Sequence, residues 1–145
     1  MSTGVQVVFD CADPDRLARF WAGALGYKLQ DPPPGYTSWE DWARDHGIPE
    51  DRWNDASAVV DADGKGPRLY FQKVPEAKTV KNRVHLDLNI TGGPSVAPVE
   101  KRRGQVDAEV ERLLGLGATR VRVGEELGRY WVVMQDVEGN EFCVH

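Results

Sequence analysis

The sequence predicts an α+β fold made of two βαβββ modules in tandem. Two observations carry that expectation. A strand, an amphipathic helix, a Leu-Gly pair and a second strand occur twice, with the helices ending at Gly26 in one copy and at Gly117 in the other. Each copy then continues into a β-hairpin around a turn dipeptide, Asp63-Gly64 in the first and Glu138-Gly139 in the second. The N-terminal module spans about residues 4–75, with a helical insertion over 32–54, and the C-terminal module about residues 82–145.

The elements follow in order. The first strand is VQVVFDC, Val5 to Cys11. Asp13 is placed to cap the first helix and Pro14 to open its first turn, where the missing N–H costs nothing. Leu17, Phe20, Trp21 and Ala24 recur at helical spacing, so this helix lays an apolar face on a sheet. A strand begins at Tyr27. In the insertion, Ser38 followed by Asp41 resembles a capping box, and Gly47 stops the short helix. Trp39, Trp42 and Trp53 all fall here, either plugging a gap in the core or covering a cleft. The hairpin over 57–72 completes the module.

Residues 75–83, PEAKTVKNR, join the halves. Lys78, Lys81 and Arg83 make this stretch basic; a solvated linker and a site for a carboxylate or phosphate both fit it, with Asn82 as a turn residue. A strand over 83–90, RVHLDLNI, opens the second module. Residues 92–103 read as an irregular loop in which Lys101, Arg102 and Arg103 are solvated. A helix follows with Val106, Val110, Leu113 and Leu114 on one face, then a strand from Thr119 and the hairpin over 129–144.

Composition bounds the function. Net charge −5 and a pI near 5.2 argue against nucleic acid as a partner and favour cationic or neutral ligands. No apolar run approaches the roughly 20 residues of a membrane span, and the start has no basic region ahead of an apolar one. Two cysteines without a secretion signal point to reduced thiols in a cytoplasmic protein.

DPDRLARFWAGALGY near the start and DVEGNEFCV near the end, set in the doubled βαβββ pattern, resemble the vicinal oxygen chelate superfamily. SWEDW, GPRLYFQKVPEAK and KNRVHLDLN resemble its glyoxalase-like, bleomycin-resistance-like branch, common in actinobacteria. The resemblance implies half-barrel modules that enclose a small-molecule cleft, and a homodimer. In metal-using members it places ligands at four points, here Gln6, Gln72, His85 and Cys143. Those members carry glutamate at the second and fourth points, and this chain does not. Carboxamides are weak donors, so no cofactor is expected. Any ion held by Gln6, His85 and Cys143 would be zinc or another late transition metal. Glyoxalase I proton shuttling needs a metal-bound carboxylate, and extradiol cleavage needs two histidines and a carboxylate; both are disfavoured.

Alternation along strands supplies another set. If Gln6 faces inward, so does Asp10, while His85 brings Asp87 and Asn89 with it. His85, Asp87 and Asp10 are thus the candidate metal-free acid/base group; structural roles, with Asp10 capping a turn and His85 bonding a backbone group, are the alternative. Gln6, Gln72, Trp39, Trp42, Trp53 and Cys143 are the candidate ligand-binding residues. Cys11 falls on the opposite face as a small buried hydrophobe, His46 meets the last carbonyls of the inserted helix, and His145 is a frayed chain end. The functional expectation is an enzyme of lyase or isomerase type acting on a small organic molecule. The alternative is a protein that sequesters an aromatic compound or antibiotic unchanged, and a third is a structural module with a filled cleft.

Overall fold

A computed structural model describes residues Met1–His145. The chain divides into two compact units, Met1–Ala77 and Lys78–His145.

The first unit holds β1 (Val7–Cys11), α1 (Pro14–Leu25), β2 (Lys28–Leu29), α2 (Trp39–Asp45), one 3-10 turn (Glu50–Arg52), β3 (Ala56–Val60) and β4 (Leu69–Lys73). Its sheet has the order β1-β4-β3-β2; β1 and β4 run parallel and the other pairs antiparallel. The Asp13 carboxylate accepts the Arg16 N–H at the start of α1, and Gly26 closes the helix at φ 69°. Leu17, Ala18, Phe20, Trp21 and Ala24 are buried on one face of α1. Phe9 meets Trp21 and Phe71 at ring-centroid distances of 5.4 Å each, and Cys11 is buried, its thiol 3.5 Å from the Gln72 carbonyl. Alternation then leaves Val8, Asp10 and Gln72 exposed on the other face of this sheet.

The inserted helix α2 begins as its sequence implies, with Ser38 Oγ accepting the Asp41 N–H. The three insertion tryptophans bond or stack within the first unit. Trp39 donates its indole N–H to the Gln30 carbonyl at 2.7 Å, and Trp53 to the Ile48 carbonyl at 2.9 Å. Trp42 meets Trp39 edge-on and stacks on His46 at 4.4 Å. His46 Nδ1 lies 2.8 Å from the Trp42 carbonyl, at the end of the helix.

The second unit repeats the topology with β5 (Asp87–Leu88), α3 (Val99–Gly115), β6 (Thr119–Glu126), β7 (Arg129–Gln135) and β8 (Glu141–Val144), in the sheet order β5-β8-β7-β6. Val106, Val110 and Leu113 of α3 are fully buried, as are Val132, Met134, Phe142 and Val144 of the sheet. The repeat read from the sequence is therefore a repeat of fold.

Four local expectations are corrected. The strand expected over 83–90 shortens to a two-residue ladder, Asp87 and Leu88 opposite Cys143 and Val144 of β8. The basic run is not a loop: α3 starts at Val99, directly after Pro98, and Arg102 is 5% exposed. A guanidinium can enter the interior there because it finds carbonyl acceptors. Residues 78–82 are tied rather than freely solvated, with Lys78 paired to Glu141 at 3.4 Å and Asn82 donating its N–H to the same carboxylate at 2.9 Å. His145 is not frayed; its N–H donates to the Leu88 carbonyl at 3.0 Å and its carbonyl accepts the Ile90 N–H at 2.8 Å.

Candidate functional site

The residues singled out in the sequence fall into two groups, one in each unit. In the first unit the polar ones are engaged with each other. The register sets Asp10 opposite Gln72, and Gln72 donates its amide N–H to the Asp10 carboxylate at 2.7 Å. Arg68 donates to Gln6 Oε1 and to Gln30 Oε1, both at 2.7 Å. The Gln6 oxygen expected as a metal donor thus already accepts from a cation, and a bond to a second cation would have to displace it.

In the second unit the sheet brings His85, Asp87 and Cys143 together. Asp87 pairs with Cys143 across the β5–β8 ladder, so both side chains rise from the same face. One donor atom from each of the three lies within 4.8 Å of the others. His85 Nε2 is 3.2 Å from one Asp87 oxygen, and His145 Nε2 is 3.5 Å from the other. One carboxylate is thereby flanked by two imidazoles. The His145 Nε2 atom is shielded from solvent and makes no hydrogen bond. Burial, and next the charge of Asp87, push the Cys143 thiol above its ordinary pKa range, so it stands as the neutral thiol at neutral pH. Both cysteines are free thiols.

This group lines a cavity of about 470 Å³. The wall runs from His85, Asp87, Asn89, Cys143 and His145 through the loop Thr91–Pro94 to Arg102, Arg129, Tyr130 and Trp131. Tyr130 is held by its hydroxyl, which donates to Asp107 on α3 at 2.6 Å, and Arg103 lies over its ring at 5.0 Å. Trp131 covers Gly124 so closely that a Cβ there would fall 2.2 Å from the indole.

Sequence reasoning placed His85, Asp87, Asn89 and Cys143 on one inward face, and all four line this cavity. It missed His145, Arg102, Arg129 and Trp131. A signal existed for His145, two residues beyond Cys143 on the same strand face. For Arg102 there was none, because its burial depends on where α3 begins.

The donor set can be tested against a metal. Imidazole nitrogen, carboxylate oxygen and thiol sulfur suit zinc or another late transition ion better than manganese or magnesium, which favour oxygen alone. His85, Asp87 and Cys143 therefore fit a metal of that kind, with Asp87 supplying the carboxylate absent from the Gln72 and Cys143 positions.

The family model of a glyoxalase-like domain matches residues 6–145. The chain belongs to the glyoxalase-like domain family. Solved structures of the wider superfamily share its fold. A glyoxalase/bleomycin resistance protein/dioxygenase family enzyme from Burkholderia phytofirmans PsJN is 14% identical, over 96% of this chain and 94% of that one, with a TM-score of 0.60. A possible glyoxalase from Bacillus cereus is 16% identical, over 99% and 98%, at 0.60. The fosfomycin resistance protein FosX from Listeria monocytogenes, an E126Q mutant complexed with Mn(II) and 1S,2S-dihydroxypropylphosphonic acid, is 13% identical over 100% and 90%, at 0.62. No curated protein matches the chain. No helix of this glyoxalase-like domain is long and apolar enough to cross a membrane.

Proposed function

We propose that this glyoxalase-like domain is an enzyme of lyase or isomerase type that moves a proton on a small organic molecule, with His85 as the acid/base. The observation that supports it is the His85–Asp87–Cys143 group at the wall of the cavity. Asp87 lies 3.2 Å from His85 Nε2 and orients the imidazole at the cavity wall. His85 remains 43% exposed in its side chain, open to the cavity. Cys143, held neutral, is a proton donor of short reach rather than a nucleophile. Where a late transition ion is bound, His85, Asp87 and Cys143 would hold it, and it would polarise a substrate oxygen as a Lewis acid.

The expected acid/base partner Asp10 belongs to a different pair, with Gln72, so the proposed group is His85 with Asp87. A second reading is favoured by Trp131: an aromatic wall suits a protein that sequesters an aromatic compound unchanged. The homodimer expected from the resemblance accompanies either reading, and sedimentation of the untagged chain measures it.

The test combines metal analysis of untagged protein with a screen of small carbonyl, epoxide and enol compounds. His85→Ala should lower turnover by about 100-fold or more, the range for loss of a general acid/base, and Asp87→Asn should lower it too. Turnover unchanged in His85→Ala would refute the enzyme reading. Recovery of every bound compound unaltered would favour sequestration.

A further inference from the structure

Buried arginines ordinarily carry a carboxylate partner, since a guanidinium removed from water is costly unless its charge is met. In this chain Arg19, Arg44, Arg52, Arg103, Arg112 and Arg120 each pair with an acidic side chain. Arg102, 5% exposed, does not. Its Nε donates to the Ala97 carbonyl at 2.9 Å and one Nη to the Gly128 carbonyl at 2.6 Å, both neutral acceptors. The other Nη has no protein acceptor, and Arg102 lines the cavity. Arg102 also lies in the first turns of α3, where the helix dipole is positive and disfavours a cation further.

The rest of the cavity adds to the imbalance. Arg129 lines it with Arg102, against a single carboxylate, Asp87, which the imidazoles of His85 and His145 already flank. The chain as a whole carries −5, yet this wall carries an excess of cationic groups.

We infer that the second unit's cavity contains an anion subsite centred on Arg102, and that its ligand is a small organic anion whose carboxylate or phosphonate group meets that guanidinium. A planar guanidinium matches two oxygens of either group. Trp131 and Tyr130 supply aromatic wall for the body of the ligand, and about 470 Å³ falls within the size of small-molecule sites. The inference rests on the cavity being the ligand site, but not on His85 being the acid/base.

The test is an NMR titration of the full untagged chain with benzoate, phenylphosphonate and neutral benzamide, following amide and Trp131 indole resonances. At least one anion should bind tenfold or more tighter than benzamide, and the tighter anion identifies the class. Arg102→Met should lose that preference by about tenfold or more, as expected for a charge-assisted bond. Arg102→Lys, which keeps the charge and loses the fork, should retain part of it. Should the methionine variant not fold, the comparison of the three compounds on the unmodified chain decides. Benzamide binding as tightly as both anions, or no response to either anion, overturns the inference. The acid/base reading is tested separately, by turnover in His85→Ala; its failure leaves the anion preference of the unmodified chain to be judged on the three compounds. Turnover of neutral compounds without anion preference removes only the subsite.

Discussion

The turn that delivers Cys143 and His145 to the cavity depends on one buried carboxylate, Asp136, which is 3% exposed. Its Oδ1 accepts the N–H of Glu138 at 2.9 Å and of Asn140 at 3.0 Å, and its Oδ2 accepts the Asn140 side-chain N–H at 2.9 Å. Asp136→Ala removes the acceptor that the Glu138 and Asn140 backbone N–H groups share in this turn. At about 1.5 kcal/mol for each of the two backbone bonds to this charged acceptor, the loss is about 3 kcal/mol. With an unfolding entropy of about 2.1 cal/mol/K per residue over 145 residues, that corresponds to a melting temperature lowered by about 10 °C. Asp136→Asn keeps an oxygen for the two backbone donors but faces the Asn140 amide with a second donor, so about half the loss is expected. Thermal unfolding followed by circular dichroism measures both. A drop below about 2 °C for the alanine variant, less than a single such bond implies, would show that water or a relaxed turn satisfies those donors.

Two further outcomes concern the cavity wall. Gly124→Ala sets a Cβ where the Trp131 indole lies, 2.2 Å away; it should cost about 1–3 kcal/mol, as overpacking does, and shift the Trp131 indole resonance. An equally stable variant with that resonance unmoved contradicts the packing described. The Tyr130 phenol is pushed up to about 12, by burial first and by its hydrogen bond to Asp107 next. A raised pKa means that the fold favours the protonated phenol. Its contribution is whole below the ordinary value of about 10 and fades as pH climbs towards about 12. The stability difference between wild type and Tyr130→Phe should therefore narrow across that alkaline window; a difference constant with pH would mean that Tyr130 is not buried against Asp107.

Local chemistry determined much of this protein without help from its tertiary structure. Asp13 with Pro14, Gly26, Ser38 with Asp41 and the two turn dipeptides act within a few residues, so the starts of α1 and α2, the end of α1 and the hairpins were legible in the sequence, while the start of α3 was not. So was the doubled βαβββ unit, because period and punctuation repeat with it. Strand parity placed His85, Asp87 and Cys143 on one face for the same reason. Pairing lengths and partners were decided elsewhere. Only Asp87 and Leu88 of the alternating run over 83–90 form the ladder with β8, and no residue in that run marks where the pairing stops. Gln6 and Asp10 look free along the strand, yet Arg68 and Gln72, both 62 residues away, occupy them. His145 reads as an end until Leu88 and Ile90 bond it into the ladder. Arg102 reads as solvated until α3 folds it against the carbonyls of Ala97 and Gly128. Hydrogen-bond partners distant in sequence decide which polar groups remain available to a ligand, and only the folded chain brings those partners together.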